Sequence, residues 1–180
     1  MKLHIIRHAE AVDQSSTLPD DYRYLTCRGR TRFRRVAESL KKCGIDPELI
    51  VSSPLVRAVQ TAEIMAETIR FSGEVTILPL LAGGFQFPHF KEYLEEIAHV
   101  RELVVVGHEP DIGRMVGELL DHSPCSIKKG GVVSLKIKLQ LQEETIARFL
   151  WMVTGGGKLI TDHDTALARL TGSQEQPTEE

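Results

Sequence analysis

Two arginines and two histidines in this sequence sit in short polar islands separated by apolar runs: Arg7-His8-Ala9-Glu10, Ser53-Pro54 with Arg57 and then Gln60-Thr61-Ala62, and Gly107-His108-Glu109-Pro110. Those residue types suit one task, the gripping of a phosphoryl group and its passage through a histidine. A phosphate monoester is largely dianionic near neutral pH, because its second pKa is about 6. Arg7 and Arg57 offer planar forks of donors that match such an anion. Neutral imidazole is a competent nucleophile near pH 7, since its ordinary pKa is about 6.5. Attack by His8 gives a phosphohistidine, which water then hydrolyses. His108, if protonated, donates to the oxygens of the group in transit. Each island alone reads as an ordinary strand end, turn or solvated helix face. All of them together, in order, make the site.

The elements that must position these residues are legible from periodicity. Apolar runs predict strands at Leu3 to Arg7, Leu49 to Val51, Val75 to Leu78 and Leu103 to Val106; Val132 to Leu139 and Thr145 to Val153 add two more. Helical spacing predicts helices over Arg28 to Cys43, Leu55 to Ile69, Phe90 to Ala98 and Pro110 to Leu120, with Gly44 as a stop and Pro110 in a first turn. Asp13 to Asp21 and Ala82 to Pro88 read as loops, Lys128-Lys129-Gly130-Gly131 as a basic turn, and Gly155-Gly156-Gly157-Lys158 as a flexible turn after the last strand. Strands alternating with helices predict an α/β fold, a three-layer sandwich with a mostly parallel central sheet and helices on both faces. In such sheets ligands bind at the carboxyl ends of strands. Arg7-His8, Ser53-Pro54 and Gly107-His108 all fall there, and helices starting near Leu55 and Pro110 would each add backbone donors.

Composition narrows the class. A chain of 180 residues with 42% hydrophobic and 26% charged residues fits one domain, read as 1–171, followed by a polar, acidic tail over 172–180 that is expected to be disordered. A net charge of −3 and a pI near 6.2 leave no global basic field for nucleic acid, so the anion site must be local. Cys27, Cys43 and Cys125 lack metal-ligand spacing and point to a reducing, cytoplasmic setting. The apolar start, Leu3 to Ile6, is too short for a signal peptide, and no run approaches the roughly 20 apolar residues of a membrane span. His4 and His8 share a strand face, but two histidines do not make a metal site. Gly155 to Lys158 lacks the hydroxyl residue of a nucleotide-binding loop. Neither a metal nor a nucleotide cofactor is expected.

The first island resembles the Arg-His-Gly motif of the histidine phosphatase superfamily, with Ala9 where glycine is usual. Leu25-Thr26 followed by Gly29 matches a Leu-Thr-x-x-Gly segment of that family, and Ser53 to Arg57 matches a Ser-x-x-x-Arg spacing. The resemblance runs from Leu3 to about Trp151, and the short chain is most similar to the SixA-like phosphohistidine phosphatases. It implies a phosphoglycerate mutase-like fold, with His8 as nucleophile and Arg7, Arg57 and His108 as the phosphate pocket. Ser53 joins them as a substrate-binding residue, or instead serves helix entry. Many members carry a general acid after the third strand. Here that stretch reads Leu78-Pro79-Leu80-Leu81. Glu109, directly after the second histidine, is one candidate proton donor. Glu10 is another, although pairing with a nearby arginine is the preferred reading for it.

The missing acid bears on the substrate. An alkoxide leaving group gains roughly 10²–10⁴-fold from a positioned acid. A phosphohistidine can instead depart as neutral imidazole. The expected partner is therefore a phosphorylated protein, a histidine phosphotransfer domain being what the resemblance implies. The alternatives are a small-molecule phosphomonoesterase, with a mutase less favoured, and a non-catalytic phosphate-binding module.

Overall fold

The computed structural model describes residues 1–122, 124–139 and 146–172. Seven strands, β1 (Lys2–Arg7), β2 (Leu49–Ser52), β3 (Val75–Ile77), β4 (Glu102–Gly107), β5 (Val132–Lys138), β6 (Ile146–Val153) and β7 (Leu159–Ile160), form one sheet in the order β3-β2-β4-β1-β5-β6-β7. Among the described residues five helices accompany it: α1 (Cys27–Lys42), α2 (Val56–Ile69), α3 (Phe87–Glu96), α4 (Asp111–Leu120) and α5 (His163–Thr171). The three-layer α/β sandwich expected from the sequence is what forms. Its parallel character is confined to β3, β2, β4 and β1, while β5, β6 and β7 pair antiparallel, so the sheet is mixed.

Both faces of the central strands are buried, which explains their continuous apolar runs. In β1, Leu3 and Ile5 join one core with Leu103 and Val105 of β4 and with Phe90, Ile112, Val116 and Leu170 from α3, α4 and α5. Ile6 joins the other core with Val104 and Val106 and with Phe33, Val36, Leu40, Ala58 and Met65 from α1 and α2. The two-residue period of the strand thus sends alternate side chains to opposite helix layers.

Helix α1 begins where the sequence indicates. Thr26 is its N-cap and accepts the Gly29 N–H at 2.8 Å. Gly29 itself abuts the strand-end loop: a Cβ there would lie 2.1 Å from the Glu10 carbonyl oxygen. Backbone cannot yield cheaply at that distance. Gly29→Ala is expected to destabilise the fold by about 2–3 kcal/mol, seen as a clear drop in Tm, despite the higher helix propensity of alanine. An unchanged Tm would show that α1 can shift without cost.

The segment after β6 departs from expectation. The glycine segment expected to be flexible is a tight β6–β7 hairpin, closed by Thr154 N–H to Lys158 O at 2.9 Å and Gly157 N–H to Thr154 O at 2.8 Å. Gly155 packs on the Lys129 carbonyl, where a Cβ would lie at 2.2 Å. Helix α5 follows, capped by Asp162 on Thr165 N–H and ended at Gly172 with φ 74°. The loop expected at 13–21 contains a short 3-10 turn, Asp20–Tyr22, and another turn, Pro79–Ala82, precedes α3. Thr145 of the sixth predicted strand and residues 173–180 of the predicted tail lie outside the described residues.

Candidate active site

The parallel register explains the site. Arg7 lies opposite Gly107 across β1 and β4, so the next residues, His8 and His108, leave adjacent strand ends side by side. Their ring centroids are 5.0 Å apart and their planes tilted by 52°. The ladder continues past both strands through His8 N–H to Gly107 O at 3.1 Å and Ser53 N–H to Val106 O at 3.0 Å. Three carboxyl ends, those of β1, β2 and β4, thus meet at one edge.

His8 Nδ1 lies 2.7 Å from the Ala9 carbonyl oxygen. A carbonyl only accepts, so Nδ1 carries the proton and donates, and Nε2 keeps its lone pair. Nε2 has no hydrogen-bond partner among the described residues. The His8 loop is fastened from both sides. Ala9 N–H donates to Thr61 Oγ1 at 3.1 Å, and that hydroxyl donates to the Arg57 carbonyl at 2.7 Å. Gly130 N–H reaches the Arg7 and His8 carbonyls at 3.2 and 3.1 Å, so the basic turn supports the loop while Lys128 and Lys129 stay exposed. Gln60, from the same island as Thr61, accepts the Leu25 N–H at 2.8 Å.

The other polar groups separate by face. His108 Nε2 lies 2.7 Å from Ser53 Oγ, which also accepts the Leu55 N–H at 3.3 Å. Ser53 therefore has both of its expected positions, beside the second histidine and at the entry to α2. Arg7 donates through Nη1 to Ile127 O at 2.8 Å. Arg7 Nε and His108 Nδ1 are buried without a partner among the described residues, a state polar atoms rarely keep away from an anion or water. Arg57 is no solvated helix residue. It is 7% exposed and donates to Asp20 twice, to the backbone oxygen at 2.7 Å and to Oδ2 at 2.8 Å. Asp20 was not singled out by any sequence motif.

The two helix N-termini differ. Helix α2 has no acidic residue in its first turn, whereas α4 carries Asp111, which is buried, accepts the Gly84 N–H at 2.6 Å and pairs with Arg114. The backbone donors expected near Pro110 are met in part by a carboxyl of the protein itself, since Glu109 takes up the Gly113 N–H. The two candidate proton donors have partners other than the imidazoles. Glu109 accepts the Ile127 N–H at 2.7 Å and lies near Arg7; burial pushes its carboxyl above the ordinary range. Glu10 receives the Thr26 hydroxyl at 3.2 Å and sits 3.7 and 3.8 Å from Arg28 and Arg32. His4 belongs elsewhere. It stacks on Trp151 at 5.3 Å and meets Glu102 at 3.1 Å.

Burial, followed by the charges of His108, Arg57 and Arg7, lowers the His8 pKa to about 3, against the pull of the Ala9 carbonyl. Burial and then Arg57 lower that of His108 to about 4, with Asp20 pulling the other way. Both rings are therefore neutral at pH 7 in the free protein. An unfolded chain takes up protons near pH 6.5 that the folded site refuses. The stability these residues contribute is full above about pH 6.5 and is lost as pH falls toward the folded values of about 4 and 3. In phosphate-free buffer, Tm should fall from pH 7 to pH 4, and His108→Gln should fall less steeply. Parallel curves for the two proteins would contradict a depressed His108.

Comparison with known proteins fits this geometry. The family model described as the histidine phosphatase superfamily (branch 1) matches residues 3–83. An uncharacterized protein of Picosynechococcus is 36% identical over 143 residues, which cover 76% of this chain and 85% of that protein. The phosphohistidine phosphatase SixA of Escherichia coli is 29% identical over 121 residues, 66% of this chain and 74% of its own. The solved structure of the protein histidine phosphatase SixA complexed with tungstate superposes with a TM-score of 0.74 at 26% identity, over 86% of this chain and 97% of that one.

Proposed function

Because this chain belongs to the histidine phosphatase superfamily, we propose that it is a metal-independent phosphatase acting through His8 on phosphohistidine in proteins. The observation that carries this reading is the His8 Nδ1 to Ala9 carbonyl hydrogen bond beside His108, which leaves a nucleophilic Nε2 among two arginines and a second imidazole. His8 Nε2 attacks phosphorus, forming a P–N bond as the bond to the leaving group breaks with its electron pair. Water then attacks phosphorus, the His8 P–N bond breaks, and inorganic phosphate leaves after water has given up a proton. Arg7, Arg57 and Ser53 hold the phosphoryl oxygens. Dianion binding raises the proton affinity of His108, which then donates to the same oxygens. These cationic groups neutralise the charge that a metal would otherwise meet.

Two features support a phosphoprotein as substrate. The segment between β3 and β4 packs α3 into the core through Phe90 and Leu94, so this helix is committed to the core rather than to a cover over the strand ends. Glu10 and Glu109 are hydrogen-bonded to Thr26 and to the Ile127 N–H rather than to an imidazole, and a P–N bond needs an enzymatic acid least. The fastened cysteine-free site and the three unpaired cysteines elsewhere fit the cytoplasmic setting inferred from the sequence. No helix among the described residues is long and apolar enough to cross a membrane. A small phosphate ester as substrate is the second reading. It is favoured by the Glu109 carboxyl, which lies near Arg7 and which burial pushes above the ordinary range.

The deciding experiment compares kcat/KM for a phosphohistidine peptide, a sugar phosphate and p-nitrophenyl phosphate. Phosphohistidine is expected to be fastest. Sugar phosphate turnover far above it, lost in Glu109→Gln, would move the substrate to small esters. Phosphate binding without turnover of any of them would indicate a binding module.

A further inference from the structure

We infer that Asp20 is a resident counter-anion of the phosphate clamp, and that an incoming phosphoryl group must displace it from Arg57 in order to bind. The inference rests on reading this site as a phosphate pocket. The two terminal nitrogens of Arg57 are both committed to one residue: Nη1 donates to the Asp20 carbonyl at 2.7 Å and Nη2 to its carboxylate at 2.8 Å. The Arg57 side chain is only 8% exposed, and the edge that carries its two terminal nitrogens is taken by Asp20. The other carboxylate oxygen, Oδ1, accepts from Arg23 Nη1 at 2.8 Å. Arg23 is held in turn, its Nε donating to the Val12 carbonyl at 2.8 Å. One carboxylate thus bridges two guanidinium groups with its two oxygens, the arrangement a phosphoryl group would also adopt.

The two sides of this contact differ in freedom. Arg57 is anchored in α2 beneath the site, whereas the Asp20 side chain is 41% exposed on a short turn that has no buried residue. The strap around it is pinned at its base, through Val12 N–H to the Tyr24 carbonyl at 2.9 Å and Leu25 N–H to Gln60. Movement of Asp20 toward solvent therefore leaves the core and both strap ends in place. The hydrogen bonds from Arg23 and Arg57 hold its carboxyl below the ordinary range, so it competes as an anion. A dianionic, bidentate phosphoryl group can replace it. A weakly charged anion gains less from Arg57 than Asp20 already supplies. Asp20 therefore filters ligands by charge and helps eject the inorganic phosphate formed by turnover.

The test is calorimetric titration with inorganic phosphate at fixed ionic strength, for wild type, Asp20→Asn, Arg57→Ala and the double variant, with Asp20→Ala as a second probe. A hydrogen bond to a charged acceptor is about twice as strong as to a neutral one, so removal of the charge should tighten phosphate binding roughly tenfold. In the Arg57→Ala background the same change should have less than a roughly threefold effect, because the contested site is gone. Equal or weaker phosphate binding by both Asp20 variants would overturn the inference and make Asp20 an anchor for Arg57; the phosphate-pocket reading would survive, since wild type still binds. Failure of every protein to bind phosphate would instead overturn the pocket itself, and the inference with it.

Discussion

His8→Ala is expected to lower kcat by roughly 10⁴-fold or more and to leave no phosphoenzyme, while the protein stays folded. The proposed nucleophile has no substitute nearby among the described residues. His108 is the nearest imidazole, but its Nε2 is engaged by Ser53 and its Nδ1 is buried. Direct attack by water would lack the lone pair aimed from the strand end. Stability should be preserved because His8 lies beyond β1 at the rim of the core, and its burial beside two arginines already disfavours its charge. Mass spectrometry after brief incubation with phosphohistidine peptide should find acid-labile phosphate on the wild type at His8 and none on the variant. More than about 1% residual turnover with an unaltered Tm would show that His8 is not the nucleophile.

Arg57→Ala should produce the next largest loss, roughly 10²–10³ in kcat/KM, comparable to the removal of a principal anion-stabilising donor. Arg57→Lys should recover little. An ammonium supplies one point charge where the site is shaped for a planar fork, as its two-point grip on Asp20 demonstrates. The variant should nevertheless fold. Asp20 loses one cation but keeps Arg23, and its partly exposed carboxylate can turn to water. Kinetics and melting measured on the same preparations check this. A loss below about tenfold in Arg57→Ala would take Arg57 out of the phosphate grip.

Much of this site could be read from sequence because it is built from strand ends. A parallel ladder sets the levels at which neighbouring strands stop, so residues just past β1, β2 and β4 meet wherever the strands themselves are recognised. Apolar runs such as Leu103 to Val106 make that recognition easy. Asp20 is different. Its partner, Arg57, lies 37 residues away and is reached through a loop whose path depends on its pinned ends. Nothing local distinguishes Asp20 from Asp13 or Asp21 as an arginine partner. The mixed nature of the sheet was also hard to see, because a strand's direction depends on the connection that leads to it. Helix α5 did carry a signal, Asp162 as cap, Ala166 and Leu170 at helical spacing and Gly172 as a stop, but one too brief to stand out as an element within the domain. Similarly, the packing of Gly155 onto Lys129 cannot be told from flexibility by composition alone.

The Ala9 carbonyl has one more consequence, for the regiochemistry of the covalent intermediate. It keeps the proton on the ring nitrogen nearer the backbone, so phosphorus can end only on the remote one. In the proposed mechanism the phosphoenzyme would therefore be the tele isomer of phosphohistidine. Antibodies raised against that isomer should recognise it, and those against the pros isomer should not.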